Sequence, residues 1–196
     1  MRWTKRVYWG LLALLVLMAA SLACFWVVYP VHQHCIKVAG TLFRFYEDDH
    51  QGRLPFDTNG FGDALMLLIK SGEMGDVQDR WRYVTGVGDD GSVFRAALVS
   101  GAHIPEEKCS RVYVQGLTEA NDPNIAILFD RYSTPGGDHF HALWRPLVRE
   151  VCLLDGSMQI IAEQNWAQFS SNQIALLVIN GIPRPVAQHY YALTKR

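Results

Sequence analysis

A short polar segment, Asp138-His139-Phe140-His141, has the pattern in this chain that is most typical of a metal site. If the segment forms a strand, His139 and His141 point to the same side and can share a zinc ion, with His103 or Asp130 as a third ligand. A polar loop that follows two glycines is the simpler interpretation of the same residues. We therefore predict no bound metal and no cofactor. The alternative is a metal-binding or metal-dependent hydrolase domain that uses His139 and His141.

Three of the four cysteines, Cys35, Cys109 and Cys152, follow the most apolar segment of the chain. In an oxidising compartment two of them can form a disulfide bridge, and the sequence does not choose the pair. In the alternative interpretation all three are small buried side chains, because free cysteine is among the most buried residue types. Both interpretations are open.

The other reactive residue types fit structural roles. Asp155 and Gly156 are predicted to form the turn of a β-hairpin, since a two-residue turn with positive φ favours Asp-Gly. Asp89 and Asp90 offer oxygen ligands that calcium prefers, but their Gly-Asp-Asp-Gly context is typical of a turn. The sequence contains no Gly-x-Ser-x-Gly elbow, phosphate-binding loop or dinucleotide fingerprint. We therefore predict that the chain is not an enzyme, and we identify no small-molecule substrate.

The charge of the chain argues against nucleic acid as a partner. Its 18 basic and 19 acidic residues give a formal net charge of -1, without the basic excess of a nucleic-acid-binding domain. The apolar fraction of 49% lies near the upper end of the globular range. Much of that apolar content lies in residues 7–29, an uncharged run that is long enough to cross a bilayer as a helix.

The flanks of this run predict its orientation. Basic residues precede it within the first six positions, and no charge follows it before Lys37, so the positive-inside bias places the N-terminus in the cytoplasm. The predicted organisation is a cytoplasmic N-terminus at 1–6, a transmembrane anchor at 7–29 and an extracytoplasmic domain at 30–196. The alternative is a secreted or lipidated protein with a cleaved signal peptide, whose mature chain begins at Cys24.

Two helices are predicted after the apolar run. Apolar residues at three- and four-residue steps define one face of the first helix, and these are Val31, Cys35, Val38, Leu42 and Phe45. Gly52 is expected to end this helix, with the acidic residues 47–49 as a solvated terminus. The second helix is predicted from residue 61 to about residue 71, with Asn59 as its N-cap.

The rest of the chain is predicted to form short strands, because runs rich in β-branched and aromatic residues alternate with Gly, Asp, Asn and Pro. The predicted strands are 81–85, 93–99, 111–115, 124–129, 150–154 and 158–162. Antiparallel pairing is expected, with turns at 88–91 and 155–156. The tail segment at 175–180, ALLVIN, fits either a short helix or an edge strand.

Three segments follow one another in a recognisable order. They are CIKVAGTLFRFYEDDHQGRLP at 35–55, RVYVQGLTEANDPNIAILFDRYSTPGGDHFHA at 111–142 and VCLLDGSMQII at 151–161. Together with the run at 7–29, they resemble bacterial type IV pilin-like proteins related to type II secretion pseudopilins. In that family an apolar helix ends in an aromatic-plus-acidic stretch, and a final hairpin carries an Asp-Gly turn. Residues 6–11 lack the family's prepilin leader site and its glutamate.

The resemblance implies a fold and a role. The implied fold is α+β, with an N-terminal transmembrane helix that continues into a long amphipathic helix packed on an antiparallel sheet. The implied role is that of a non-catalytic structural or assembly protein that acts through protein–protein interaction. The expected location is the bacterial cytoplasmic (inner) membrane, as a single-pass protein with a periplasmic domain. The expected partners are the lipid bilayer and other membrane or pilin-like proteins.

Overall fold

The computed structural model describes residues 12, 14–21, 36–71, 80–86, 89–137 and 146–194. Within these ranges the chain combines helices with an antiparallel sheet, so the predicted α+β class is confirmed. Along the sequence, helices come first, the strands follow, and two further helices come last.

The first two helices of the domain form where the sequence predicts them. Helix α1 covers Ile36–Asp49, and its buried residues follow the three- and four-residue spacing of one helix face. Helix α2 covers Phe61–Ser71, which are the predicted bounds. Val31 and Cys35, which the prediction assigned to the first helix, lie outside the described residues.

The end of α1 is less solvated than predicted. Gly52 does end the helix, with a φ of 75° and an N–H that donates to the Glu47 carbonyl at 2.9 Å. The Glu47 side chain, however, is buried, because it lies four residues after Phe43 on the same helix face. Burial raises the pKa of Glu47, and Arg44, which donates to its carboxylate at 3.1 Å, opposes that shift.

The start of α2 is capped by a distant residue instead of Asn59. The Phe61 N–H donates to Glu106 Oε1 at 3.0 Å. Asn59 donates its own N–H to Asp57 Oδ1 at 2.8 Å, so the predicted cap is wrong. Glu106 lies 45 residues farther along the chain than Phe61, and local sequence therefore gives no sign of this cap.

Two predicted strands, at 81–85 and 93–99, are helices in the structure. Helix α3 covers Trp81–Val84 and helix α4 covers Ser92–Ser100. The residues of α4 that are buried are Phe94 and Ala97, at the three-residue spacing of a helix and not the two-residue spacing of a strand.

The ends of α4 carry helix signals that outweigh its strand-like composition. The Gly91 N–H donates to Asp89 Oδ1 at 2.8 Å, and the Ser92 N–H donates to Asp90 Oδ1 at 2.9 Å. The predicted Asp-Asp turn therefore exists, but it opens a helix. Gly101, with a φ of 70°, donates its N–H to the Ala97 carbonyl at 2.8 Å and ends the helix.

The sheet in the described part of the chain has five antiparallel strands. They are β1 (Arg111–Tyr113), β2 (Ala126–Asp130), β3 (Thr134–Pro135), β4 (Leu147–Leu153) and β5 (Met158–Ala162). Strand β4 is central, since β2 and the short β3 pair along one side of it and β5 pairs along the other. Strand β1 pairs with β2. The predicted strands at 111–115, 124–129, 150–154 and 158–162 are confirmed.

The β4–β5 hairpin turns at Asp155 and Gly156, as predicted. Gly156 has a φ of 80°, and the Ser157 N–H donates to Asp155 Oδ1 at 2.8 Å. The hydrogen bonds from Ser157 hold the pKa of Asp155 below its ordinary value. Asp155 is thus a turn residue.

One face of the sheet packs against α1. Tyr113 of β1 stacks on Phe43, with ring centroids 5.0 Å apart. Cys152 of β4 lies so close to Gly40 that a Cβ added at this glycine would be 3.0 Å from the cysteine Sγ and 3.3 Å from the Gly156 carbonyl oxygen. A side chain at position 40 would therefore fit only if Cys152 and the hairpin at Gly156 moved away from the helix.

The other face is covered by two C-terminal helices, α5 (Trp166–Ile179) and α6 (Arg184–Ala192). Phe129 of β2 stacks on Tyr191 at a centroid distance of 4.8 Å and contacts Trp166 at 5.6 Å. The tail segment at 175–180 thus belongs mainly to a helix. The sheet is a middle layer between N-terminal and C-terminal helices.

The predicted single-pass transmembrane protein of the bacterial inner membrane is contradicted. Helices long and apolar enough to span a bilayer are absent from the described part of the chain. Of the predicted anchor at 7–29, the structure describes residue 12 and residues 14–21, which are helical, and the rest lies outside the described residues.

Candidate functional site

Of the four residues considered as metal ligands, the structure describes His103 and Asp130. His139 and His141 lie outside the described residues. His103 donates from Nδ1 to Asp63 at 2.6 Å, and Asp130 accepts from Arg111 Nε at 3.0 Å. Within the described ranges, no group of three or more His, Cys, Asp or Glu side chains is placed so that it could hold a metal ion. Both proposed third ligands therefore have other partners.

Two of the three disulfide candidates are buried free thiols. Cys109 and Cys152 are 2% and 0% exposed, and neither is bridged. Burial raises the pKa of each thiol to about 12, so both stay protonated and poorly nucleophilic at neutral pH. Cys35 lies outside the described residues. For Cys109 and Cys152, the structure agrees with the alternative of small buried side chains.

Strand β5 forms an open edge of the sheet. Within the described residues it pairs only with β4, so its outer edge presents backbone N–H and C=O groups. The strand reads MQIIA, without a charged residue or a proline. Ile160 at its centre is 47% exposed. Natural edge strands usually carry Lys, Pro or a bulge that blocks pairing, and β5 has none of these.

A shallow groove of about 310 Å³ follows this edge. Ile160, Ile161 and Ala162 of β5 form one side of it, and Phe169 of α5 lies on the other. Asn165, Gln168 and Asn172 add uncharged polar groups. The edge and its groove together offer main-chain pairing and apolar contact, which are the two elements of strand addition.

A separate polar pocket of about 260 Å³ lies between α2 and the segment after α4. Its lining includes Asp57, Asp63, Lys70 and His103. Both carboxylate oxygens of Asp63 accept a hydrogen bond, one from His103 and the other from the Ile104 N–H at 2.9 Å. The hydrogen bond to Asp63 raises the pKa of His103 above its ordinary value. The pair therefore links two segments by a contact whose strength depends on pH.

Buried arginines connect the sheet to the C-terminal helices. Arg149 of β4 is 1% exposed and binds Glu163 through two N–H groups, at 2.8 and 3.0 Å. It also donates to the main-chain carbonyls of Asp130, Arg131 and Thr194. Its guanidinium lies 4.8 Å from the Trp166 ring centroid. One side chain thus joins β2, β4, α5 and the end of α6.

Arg131, which follows β2, repeats this arrangement. Its Nε donates to the Leu193 carbonyl at 3.0 Å, and Nη1 donates to the carbonyls of Glu106 and Cys109 at 3.0 and 3.2 Å. Carbonyls at the end of a helix lack intrahelical donors, so the arginine satisfies part of the C-terminus of α6. One of these bonds ties the end of α6 to the residue that follows β2, and the other two tie that residue to the segment before β1.

A cleft of about 880 Å³ lies between α5 and α6. Trp166, Ala167 and Ile174 of α5 form an apolar wall, and Gln188 and Tyr191 of α6 lie opposite. Glu163, which also lines the cleft, is bound by the two Arg149 N–H groups described above. The cleft is therefore mainly apolar and carries no uncompensated charge from Glu163.

The sequence prediction missed both the cleft and the arginines that shape it. The apolar residues of α5 do not lie on one side, since Leu177 is buried while Ile179 is 80% exposed. This lack of periodicity is why the sequence left the tail undecided between helix and strand. No family model, curated protein or solved structure matches the chain.

Proposed function

We propose that this chain is a non-catalytic structural or assembly protein with a pilin-like domain, and that it joins its partner through the edge strand β5. The observation that carries the proposal is the outer edge of β5, which no strand among the described residues covers. A central isoleucine that is 47% exposed sits on an uncharged strand with an open row of main-chain groups. Such a strand can add another strand in register.

The packing of α1 supports the pilin-like part of the proposal. The helix lies directly on β4, and Gly40 comes close to both Cys152 and the hairpin at Gly156. A helix that lies across an antiparallel sheet, beside an Asp-Gly hairpin, is the arrangement that the resemblance implies. The helices on the opposite face, α5 and α6, are an addition to that arrangement.

The partner that best fits the edge is a second copy of this chain. Two copies of β5 can pair antiparallel about a two-fold axis, because the strand has no charge that would oppose its own image. Ile160 lies at the centre of the strand and would meet its counterpart at or near that axis. The sheets of the two copies would then form one continuous sheet.

The test is sedimentation of the full chain over a range of concentrations. We expect the unmodified chain to associate and Ile160→Lys to stay monomeric, because a lysine on the edge opposes strand pairing. Val99→Lys is the matched control, since Val99 is 85% exposed on α4 and lies outside the sheet. Equal association of the two variants, or a monomeric unmodified chain at all concentrations, would contradict self-assembly through β5.

A further inference from the structure

The chain contains two Asn-Gly sequences, Asn59-Gly60 and Asn180-Gly181, and this dipeptide has a chemistry of its own. The main-chain nitrogen of the glycine can attack Cγ of the asparagine, because glycine has no Cβ that hinders the approach. A C–N bond forms and closes a five-membered succinimide ring. The proton of the glycine N–H passes through water to the side-chain amide, which leaves as ammonia.

The succinimide then reacts with water, which opens the ring at either of its two carbonyl carbons. One opening gives aspartate. The other gives isoaspartate, in which the main chain runs through the former side-chain carbon. Both products carry a carboxylate where the asparagine carried a neutral amide, so the reaction is a covalent modification that adds a negative charge.

The structure holds Asn180 in a form that opposes this reaction. Its Nδ2 donates to the Leu176 carbonyl at 2.9 Å, and its Oδ1 accepts from the Asp122 N–H at 2.9 Å. The attacking group is also engaged, since the Gly181 N–H donates to the Val178 carbonyl at 3.1 Å. Ring closure at this pair therefore needs a local opening that breaks these hydrogen bonds.

Asn59 lacks these restraints. The residue is exposed, and among the described residues its carboxamide makes no hydrogen bond. The N-cap role predicted for its side chain is filled by Glu106, which accepts from the Phe61 N–H at 3.0 Å. The Gly60 N–H donates to the Asp57 carbonyl at 3.3 Å, which is long for an N–H···O bond. Both reacting groups are thus more weakly held at this pair.

A new carboxylate at position 59 would lie among groups that already carry charge. Asn59 lines the polar pocket together with Asp57, Asp63, Lys70 and His103. Asp63 raises the pKa of His103, and the charge of Asp57 acts in the same direction. A further negative charge in this lining favours the protonated imidazole.

We infer that Asn59 is a modification site, at which the folded chain converts without an enzyme to aspartate and isoaspartate, while Asn180 stays intact. The difference between the two sites comes from the hydrogen bonds that hold Asn180 and that Asn59 lacks. The product places a carboxylate in the pocket of Asp63 and His103. This modification does not depend on self-assembly through β5.

The test follows both asparagines in the full chain during incubation at mildly alkaline pH. Peptide mass spectrometry measures the conversion, and chromatography separates the aspartyl and isoaspartyl peptides. We expect Asn59 to react roughly tenfold faster than Asn180 or more, because release of Asn180 costs at least one net hydrogen bond. In concentrated urea the two rates should become similar, because the unfolded chain lacks the bonds that hold Asn180.

Asn59→Gln is the matched control, because a glutamine at this position would have to close a six-membered ring, which forms far more slowly. This variant should show no conversion at position 59 and the same slow conversion of Asn180. No conversion of Asn59 in the folded chain would overturn the inference. The same ratio of the two rates in the folded chain and in urea would also overturn it, since the sequence alone would then explain the difference.

A second measurement tests the link to the pocket. Asn59→Asp carries the aspartate product from the start, and NMR titration should give His103 a higher pKa in this variant than in Asn59→Gln. An identical titration of His103 in the two variants would contradict the placement of the new carboxylate beside this histidine.

Discussion

The Asp63–His103 pair shows how much one residue can depend on distant parts of the chain. Asp63 lies in the first turn of α2, and His103 lies 40 residues later in the segment after α4. Asp63 raises the pKa of His103, and the charges of Glu107 and Asp57 act in the same direction. The folded protein therefore holds the imidazole proton more tightly than the unfolded chain does.

This shift predicts the pH dependence of stability. A histidine whose pKa is raised by folding contributes stability that is fully present below its ordinary pKa of about 6.5. That contribution is lost as pH rises through the higher pKa of the folded state. We expect the urea midpoint of the unmodified chain to fall between pH 6 and pH 8.5 by more than that of His103→Gln. NMR titration of His103 and urea unfolding at both pH values measure the effect.

The result that would contradict this prediction is an identical pH dependence of the two proteins. The sequence did single out His103, but as a possible metal ligand. Its partner could not be predicted, because Asp63 has no local spacing relation to it. Asp155, by contrast, was predicted correctly because its partner Ser157 is two residues away.

At the scale of elements, the sequence correctly predicts the helices and hairpins whose sequence signals lie within the element itself. Helix α2 has an apolar face along its full length, and the β4–β5 hairpin has an Asp-Gly turn between two β-rich runs. Helix α4 was mistaken for a strand because a short apolar run fits both structures. The residues that favour a helix over a strand lie on either side of this run. Asp90 accepts a hydrogen bond from the Ser92 N–H at the start of the helix, and Gly101 ends the helix.

The close contact of α1 with the sheet leads to a prediction for Gly40. A leucine at this position would clash with Cys152 and with the Gly156 carbonyl, so we expect Gly40→Leu to destabilise the fold by about 1–3 kcal/mol. Thr41→Leu places the same side chain on the exposed side of α1 and should change stability by less than about 0.5 kcal/mol. Urea unfolding, followed by circular dichroism, measures both.

Equal stability of these two variants would mean that α1 does not lie against β4 as described. The comparison is informative because the two positions are neighbours in one helix. Differences in helix propensity favour leucine over both original residues. Any loss in Gly40→Leu therefore reflects packing against the sheet.

At the scale of the whole molecule, the sheet is shared by two sets of helices that are far apart in sequence. Arg149 is central to this arrangement because it is buried and binds Glu163 and the carbonyl of Thr194. The sequence could not predict this network. An arginine in a strand is usually expected to face solvent, and nothing in its local context shows that its partners come from the C-terminal helices.

We expect Arg149→Gln to destabilise the protein by about 2–3 kcal/mol. Glutamine cannot reach the partners of Arg149, so several buried acceptors lose their donors. Glu163 is 38% exposed in its side chain, and solvent will compensate part of its loss. Arg184→Gln, at the exposed start of α6, is the control and should change stability by less than about 0.5 kcal/mol. Equal urea midpoints of the two variants would contradict the structural role of Arg149.

The layered order of the fold has a consequence for protein synthesis. The strands lie between residues 111 and 162, and the helices on their second face begin only at residue 166. On the ribosome, the sheet can therefore fold onto α1 while its other face, with Phe129 and Val151, still lacks a cover. That face stays available to chaperones or to other nascent chains until α5 and α6 leave the exit tunnel.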